Sequence, residues 1–304
     1  MDILIRRMDN ADVGIPKVWQ VIQNMEIKIV NLYQEFGITP KSGAIGRLTG
    51  WIQRTPVEVS ACRRRPAVLI FPGGAYGRTS PREAEPVALR FVSRGYAAFV
   101  LDYTCAPEGF PVSLREAAMA MRYIRDHAER FEIDPRMVAA LGFSAGGHLC
   151  GCLGTMYDCP ELEDIAPPEM IRPDVLAMCY PVAVSWGRTH ELSFENVSRG
   201  DPTLRERLSL DRLVRRDMPP VFLWHTRDDA SVPVRNSLVL ASALEEAGVD
   251  FAMRIYRHGR HGLSTADAMA FPEGGVPEIS PDVPGWVEAV MEFFSEIGLK
   301  IQDF

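Results

Sequence analysis

The segment MVAALGFSAGGHLCGCLGTM, residues 137–156, is predicted to form a strand, a sharp turn and a helix. The apolar run 137–141 is the strand, and the helix begins at Ala145. Between them stands Gly142-Phe143-Ser144-Ala145-Gly146, in which glycines lie two positions away on either side of a serine. A turn this sharp strains the serine backbone, and neighbours without side chains make room for it. The turn lifts the Ser144 hydroxyl above the sheet at the positive end of the helix, so Ser144 is predicted to be a nucleophile.

Strand-like and helical runs alternate on both sides of this turn. Six strands are predicted, at 67–71, 96–101, 137–141, 175–179, 221–224 and 251–256. The main helices are predicted at 81–93, 112–130, 145–156, 234–247 and 284–297. The strands are apolar without polar alternation, which is typical of a parallel sheet covered on both faces. An α/β fold with a mostly parallel central sheet follows.

The early part of the chain departs from this alternation. Apolar spacing over 18–36 favours a helix, although its β-branched content also allows strands. The interval 48–59 is predicted to form a pair of hairpin strands, ended by a charged turn at 62–66. We treat residues 1–45 as an N-terminal extension, where an added helix or a contact in a homo-oligomer both remain open.

The interval 185–218 also breaks the alternation. It is polar, contains Gly200-Asp201-Pro202, and is predicted to carry a helix over 203–213. At this place in the chain it would lie over the carboxyl ends of the strands as a small lid. With this insertion included, we expect one domain to span 1–304.

Small residues follow the first strand of the alternation, in Phe71-Pro72-Gly73-Gly74-Ala75-Tyr76. A tetrahedral intermediate of acyl transfer carries negative charge on oxygen, and backbone N–H groups nearby stabilise it by several kcal/mol. The expected donors of this oxyanion hole are the N–H groups of Gly74, Ala75 and Ala145, the last following the nucleophile directly.

An acid and a base are expected after the nucleophile, in that chain order. Asp228 and Asp229 follow the fifth strand, and Asp229 is preferred from its distance to the Val232-Pro233 pair that opens the next helix. Asp228 is then a turn or cap carboxylate. After the sixth strand, His261, followed by glycine, is preferred over His258 as the base, with Asp229 fixing its tautomer.

The other histidines are assigned structural roles or none. His148 lies one helical turn past Ser144 and is predicted to be packed or hydrogen-bonded. His225 simply precedes the acid loop, and His127 and His190 have no supporting context. Three aromatic residues, Tyr76, Tyr103 and Trp186, are candidates for lining the substrate pocket, with core packing as the alternative for each.

Charge and composition exclude several classes of partner. Lys and Arg number 33 against 40 Asp and Glu, a net charge of −7, which argues against nucleic acid or an anionic membrane. No apolar run is long enough to cross a bilayer, and Met1 to Arg7 places its basic pair after the apolar residues, unlike a secretory signal. Six dispersed cysteines are predicted to be free thiols without a metal. We expect a cytoplasmic protein.

These markers together resemble the bacterial esterase/lipase branch of the α/β-hydrolases, which includes acetyl-xylan-esterase-like enzymes and is related to the hormone-sensitive-lipase type. Pro72 to Tyr76 stands in place of that group's His-Gly-Gly-Gly motif, with Ala75 at its third glycine. The other similar segments are Ser80 to Pro86, Gly142 to His148, Asp229 to Pro233 and His261-Gly262. The resemblance implies an α/β-hydrolase fold and hydrolysis of short acyl esters, often acetyl groups on sugars, without a cofactor.

The favoured function is a serine carboxylesterase that acts on small short-chain acyl esters, acetyl esters above all, through an acyl-enzyme intermediate. The alternative is a serine peptidase or amidase, including arylformamidase-like chemistry, because the same three residues serve both reactions. A non-catalytic binding protein on this fold is a third hypothesis, which the intact set of catalytic residues argues against.

Overall fold

The structure is a computed structural model that describes residues 25–40, 43–55, 64–268, 270–271 and 279–300. The strands are β1 (Met25–Asn31), β2 (Arg47–Gln53), β3 (Arg65–Phe71), β4 (Ala97–Asp102), β5 (Ile133–Phe143), β6 (Val175–Cys179), β7 (Val221–Thr226) and β8 (Phe251–Tyr256). The α-helices are α1 (Leu32–Glu35), α2 (Glu85–Val92), α3 (Val112–Asp126), α4 (Ala145–Met156), α5 (Pro168–Ile171), α6 (Glu191–Ser198), α7 (Pro202–Arg207), α8 (Leu210–Leu213), α9 (Arg235–Ala247) and α10 (Trp286–Glu296). Short 3₁₀ helices lie at Pro81–Glu83, Pro160–Leu162 and Val283–Gly285.

The described strands form one sheet in the order β1-β2-β4-β3-β5-β6-β7-β8. At one edge, β1 pairs antiparallel with β2, and β2 pairs antiparallel with β4. From β4 to β8 all neighbours run parallel. Because parallel strands end at the same edge, the loops after β3, β5, β7 and β8 leave the sheet on one side, where ligands bind in open α/β sheets.

Hydrophobic side chains cover both faces of the central strands. In β3, Val68, Leu69 and Ile70 are completely buried. Leu69 belongs to the core that α3, α4 and α9 cover, whereas Val68 and Ile70 belong to the core that α2 and α10 cover. Successive side chains of a strand point to opposite faces, so an unbroken apolar run is buried on both. The predicted α/β arrangement is confirmed.

Most helices follow the predictions. α4, β6 and β8 have the predicted bounds. The helix predicted over 81–93 divides, because the 3₁₀ helix Pro81–Glu83 precedes α2, and the helix predicted over 112–130 ends at Asp126. Among the described helices, none combines the length and the apolar character needed to cross a membrane.

The helix predicted over 18–36 is wrong in the part that the structure describes. Residues 25–31 form β1, and only the short α1 follows, while 18–24 lie outside the described residues. In β1, Ile27 and Ile29 alternate with charged residues, which is a period of two, and β-branched side chains favour extended backbone. Pairing with β2 then decides in favour of the strand.

Only the first strand of the hairpin predicted within 48–59 falls in the described residues. It is β2, which pairs antiparallel with β1 and with β4. Residues 56–63 lie outside the described residues. Arg65, predicted to lie in the turn 62–66, begins β3 instead, because its N–H donates to the Glu132 carbonyl at 2.9 Å.

The insertion 185–218, between β6 and β7, carries three helices where one is predicted. α6 has no predicted counterpart, and the helix predicted over 203–213 divides into α7 and α8. The division follows Leu208, whose carbonyl accepts a hydrogen bond from His148 Nε2 at 2.8 Å. That tertiary bond draws the Leu208 carbonyl toward α4, and local propensity alone could not have revealed it.

Five of the six cysteines fall in the described ranges, and all five are free. Cys150, Cys152 and Cys179 are buried, whereas Cys105 and Cys159 are partly exposed. Burial raises the pKa of each of the three buried thiols. Cys62 lies outside the described residues.

The turn between β5 and α4 packs closely against the end of β3. Phe71 of β3 and Gly142 of β5 are register partners, so the two strands end at the same level. A Cβ atom on Gly146 would lie 2.1 Å from the Phe71 carbonyl oxygen, and one on Gly142 would lie 2.1 Å from the Gly146 carbonyl oxygen. Both distances are far inside van der Waals contact, so both glycines are required.

We predict that Gly146→Ala destabilises the protein by about 2–3 kcal/mol, because the added methyl group must displace backbone rather than a mobile side chain. Urea denaturation followed by fluorescence measures the change. Gly285→Ala is the control, since Gly285 has an ordinary φ of −80° and nothing within 4 Å of its Cβ position. Equal stability of the Gly146→Ala variant and the wild type would contradict the packing argument.

Candidate active site

Ser144 lies in the turn between β5 and α4, with φ +54° and ψ −117°. Such a conformation costs a residue with a side chain on the order of 1–3 kcal/mol. Its N–H donates to the Cys179 carbonyl at 3.0 Å, and its carbonyl accepts the N–H groups of His148 and Val182, each at 3.1 Å. These bonds hold the strained backbone, so the hydroxyl projects from a rigid support.

The structure brings Ser144, His261 and Asp229 together in hydrogen-bonding order. His261 Nε2 lies 2.8 Å from Ser144 Oγ, and His261 Nδ1 lies 2.6 Å from Asp229 Oδ2. Asp229 follows β7 and His261 follows β8, while Ser144 follows β5. Parallel strands that end at one edge therefore unite residues that are 117 positions apart in sequence.

The Asp229 carboxylate is held by bonds to both of its oxygens. Oδ1 accepts the N–H groups of Ser231 and Val232, each at 2.9 Å. Burial by itself raises the pKa of Asp229, but the side-chain hydrogen bonds from His225 and His261 and the Val232 N–H together outweigh burial and lower it. Asp229 is therefore ionised at neutral pH and suited to stabilise a positively charged His261.

The adjacent Asp228 pairs with His258, the other histidine of the loop after β8. Its Oδ2 lies 3.0 Å from His258 Nδ1, and its Oδ1 accepts the Gly259 N–H at 2.8 Å. The hydrogen bond with His258 is the largest cause of a lowered pKa for Asp228. The two neighbouring aspartates thus each take one histidine, and only Asp229 belongs to the chain of bonds that reaches Ser144.

His225 supports the acid loop, a role that the sequence analysis missed. It is completely buried at the end of β7, with Nε2 2.9 Å from the Val232 carbonyl and 3.4 Å from Asp229 Oδ2. A carbonyl can only accept, so Nε2 carries a hydrogen, and Nδ1, 2.8 Å from Ser237 Oγ, accepts. The spacing of four residues between His225 and Asp229 was a signal in the sequence. Its use would have required knowing that the turn between them brings the two side chains together.

The loop after β3 presents backbone N–H groups in fixed directions. The Gly73 carbonyl accepts the Ser80 N–H at 2.9 Å, and the Gly74 carbonyl accepts the Gly77 N–H at 2.9 Å. Because a trans peptide is planar, each held carbonyl turns the next N–H, of Gly74 and Ala75, to the opposite side. Gly74 has φ +131°, and Ala75, at the position of the family's third glycine, has φ +58°.

The three predicted oxyanion donors are free to bind a ligand. Within the described residues, the N–H groups of Gly74, Ala75 and Ala145 donate to no acceptor in the protein. Gly74 and Ala75 also line the cavity that contains Ser144. Amides that are already oriented need no reorganisation when charge develops on a nearby oxygen.

The cavity beside Ser144 has a volume of about 460 Å³. His190 and Leu192 of the 185–218 insertion form part of its wall, opposite the loop after β3. Arg78, Arg82 and Glu83 also line it, so charged side chains of both signs stand among its lining residues. Burial, and next the nearby His261, lower the pKa of His190. His190 therefore presents a neutral imidazole to the cavity, a second feature that the sequence analysis missed.

The aromatic residues predicted to line the pocket do not line this cavity in the described part of the chain, which corrects that interpretation. Tyr103 is buried and donates to the Pro72 carbonyl at 2.7 Å. Tyr76 is also buried, and its hydroxyl lies 2.8 Å from His148 Nδ1. A buried tyrosine hydroxyl needs a hydrogen-bond partner. By binding these partners, both side chains support the loop after β3 from the protein interior.

Trp186 lies on the outside of the insertion. Its ring is 40% exposed, its Nε1 donates to Asp211 at 2.9 Å, and the Arg235 guanidinium lies 4.4 Å from the ring centre. His148 has the structural role predicted for it: it is buried between Tyr76 and the Leu208 carbonyl, and burial lowers its pKa to about 4.

We predict that Asp229→Asn lowers the free energy of unfolding at pH 7 by about 2 kcal/mol, because hydrogen bonds to a charged group are lost. The pKa of Asp229 is lower in the folded state than in the unfolded chain. Its stabilisation is therefore complete above the unfolded pKa of about 4 and is lost as pH falls through the folded pKa.

The measurement is the difference in urea midpoint between wild type and variant from pH 7 down to pH 3, where the difference should shrink. Asp250→Asn, at an exposed aspartate, is the control and should show little difference at any pH. A difference in urea midpoint between wild type and Asp229→Asn that grows toward pH 3 would contradict the lowered pKa of Asp229.

This chain is similar to several known proteins. A family model described as BD-FAE matches residues 58–177. The acetyl ester-xyloside bifunctional hydrolase from Caldicellulosiruptor lactoaceticus superposes with a TM-score of 0.77 at 35% identity, over 90% of this chain and 97% of that one.

Two longer proteins are also similar. Endo-1,4-beta-xylanase B of Butyrivibrio fibrisolvens is 34% identical over 250 residues, which is 78% of this chain and 38% of that protein. The acetylxylan esterase of Xylanibacter ruminicola is 27% identical over 234 residues, 74% of this chain and 45% of that protein. The chain thus spans less than half the length of both. By these similarities the chain belongs to the α/β-hydrolase family, in its acetyl-xylan-esterase-like esterase/lipase branch.

Proposed function

We propose that this chain is a serine carboxylesterase that hydrolyses short-chain acyl esters, in particular acetyl esters of carbohydrates. The observation that carries the proposal is the chain of hydrogen bonds Ser144–His261–Asp229, 2.8 and 2.6 Å long, beside unpaired backbone N–H groups in an open cavity. Nucleophile, base, acid and oxyanion donors are the complete set of parts for acyl transfer.

In the proposed reaction His261 Nε2 takes the proton of Ser144 as its oxygen attacks the ester carbonyl. The N–H groups of Gly74, Ala75 and Ala145 stabilise the oxyanion, each contributing about 10²–10³-fold to the rate. His261 then gives the proton to the leaving alcohol, and an acyl-enzyme on Ser144 remains. Water, activated by the same imidazole, releases the acid.

Polar groups in the cavity wall support a leaving alcohol that carries further hydroxyl groups, as a sugar does. Arg78, Arg82 and the neutral imidazole of His190 offer hydrogen-bond donors and acceptors around the opening. A volume of about 460 Å³ must hold both acyl and alcohol parts, which favours a small acyl group. Two of the similar proteins above are named for acetyl ester or acetylxylan hydrolysis.

The amidase alternative has less support. The same three residues would serve it, but several of the similar proteins carry esterase names, among them the acetylxylan esterase and an esterase of Mycobacterium tuberculosis. No feature of the described cavity wall favours an amide over an ester.

We predict that the purified protein hydrolyses p-nitrophenyl acetate and acetylated xylo-oligosaccharides, and that Ser144→Ala lowers kcat by about 10⁴–10⁶-fold because the nucleophile is lost. Released p-nitrophenol and released acetate are measured. Ser113→Ala, at a buried serine of α3, is the control for a serine change away from the site. Faster turnover of aminoacyl-p-nitroanilides than of p-nitrophenyl acetate would favour the amidase instead.

We further predict that His190→Ala raises KM for acetylated xylo-oligosaccharides by about 10-fold, the effect of losing one hydrogen bond to the sugar. KM for p-nitrophenyl acetate, whose leaving group offers fewer partners, should change little. Glu195→Gln, at an exposed residue of α6, is the matched control. An equal rise for both substrates would mean that His190 does not distinguish leaving groups.

A further inference from the structure

One three-residue helix, Pro81–Glu83, lies between the loop after β3 and the loop that carries His261. We propose that Glu83 and Tyr180 are a pair of positioning residues that hold the oxyanion donors in register with His261. Neither would touch the reacting atoms. The inference rests on the proposed esterase function and assigns a role to Glu83, in the Ser80 to Pro86 segment.

Glu83 fixes the loop after β3 from within the protein. Its side chain is 3% exposed, and its Oε2 accepts the Gly73 N–H at 2.8 Å. A Cβ atom on Gly73 would lie 2.7 Å from Glu83 Oε2 and 3.0 Å from Ser144 Cβ. Gly73 is therefore enclosed between the carboxyl group and the nucleophile, directly before the donor Gly74.

Tyr180 extends the same contact to the histidine loop. Its hydroxyl donates to Glu83 Oε1 at 2.7 Å and accepts the Ser264 N–H at 2.9 Å. Its ring meets the His261 ring edge to face, with centres 5.1 Å apart. Burial, and next the Glu83 carboxyl, raise the pKa of Tyr180, so its hydroxyl retains the hydrogen that it donates.

Arg82 of the Pro81–Glu83 helix also binds the histidine loop, through its backbone carbonyl and its side chain. The Ser264 hydroxyl donates to the Arg82 carbonyl, and Arg82 Nη1 donates to the Gly262 carbonyl at 3.3 Å. The helix is thus bonded on both sides of Leu263, just after His261. A displacement of this helix would move the oxyanion donors and the base together.

Burying a carboxyl and a phenol is unfavourable unless both are hydrogen-bonded, and each bond here has a partner on a different loop. An apolar pair would fill the same space but would not specify the direction of the Gly73 N–H. Reacting groups displaced by about 1 Å can lose on the order of 10²-fold in rate. The expected effect of losing the pair is therefore on the rate of acylation rather than on substrate binding.

Glu83→Gln keeps the shape of the side chain but makes one of its two contacts unfavourable. If the amide nitrogen faced Gly73, it would meet the Gly73 N–H, and two donors would face each other. If it faced Tyr180 instead, the Tyr180 hydroxyl would lose the acceptor for its hydrogen. Tyr180→Phe removes only the hydroxyl. Glu85→Gln, two residues further along and exposed, is the matched control.

The test measures kcat and KM for p-nitrophenyl acetate, and the rate at which diethyl p-nitrophenyl phosphate modifies Ser144, for both variants, their combination and the control. We expect kcat and the phosphorylation rate to fall by about 10–100-fold in each single variant. KM should remain within about twofold, and the combined variant should lose no more than about threefold beyond the worse single variant, as expected of one coupled unit.

Three results would overturn the proposal: full kcat in Tyr180→Phe, a change confined to KM, or losses that multiply in the combined variant. Tyr180→Phe keeps the buried ring, so it decides the matter even where Glu83→Gln fails to fold. Phosphorylation of Ser144 by this phosphate triester needs no carboxylic ester. A wild type that is phosphorylated but cleaves no acyl ester would therefore refute the proposed esterase function and leave the positioning test intact.

Discussion

The close contact between the Ser144 turn and the end of β3 is the constraint on which the site depends. Phe71 and Gly142 are register partners, and Gly146 has no room for a side chain beside the Phe71 carbonyl oxygen. One contact therefore sets the nucleophile and the loop with Gly74 at the same level of the sheet. Glycine is needed here because backbone meets backbone, and the strain at Ser144 is held by bonds to neighbouring strands and loops.

The sheet order supplies the rest of the geometry. β7 and β8 lie two and three places from β5, so the acid and the base reach Ser144 from one side while the β3 loop approaches from the other. The two adjacent aspartates each bind a different histidine, Asp228 binding His258 and Asp229 binding His261. Only the second pair faces the nucleophile. The selectivity comes from backbone N–H groups that hold each carboxylate in a different direction.

Sequence reasoning succeeded where chemistry is local. The strand–turn–helix around Ser144, the buried parallel strands and the helix α4 follow from residue type and spacing alone. It failed over 25–31, because strand pairing with β2 overrode helical spacing, and within the insertion, because a tertiary bond at Leu208 divides the predicted helix. The support that His225 gives to the acid loop was missed because the spacing of four residues to Asp229 has meaning only once the turn between them is known. Sequence alone also left open whether Tyr76 and Tyr103 line the pocket or pack in the core, and the structure has both of them buried.

The central claim is that Ser144 carries the acyl group during turnover. The direct measurement is mass spectrometry of the protein quenched with acid during hydrolysis of p-nitrophenyl acetate, followed by mapping of the modified peptide. We expect one acetyl group, on Ser144. Consumption of the ester with no acetyl group on Ser144, or with the group on another side chain, would contradict the account.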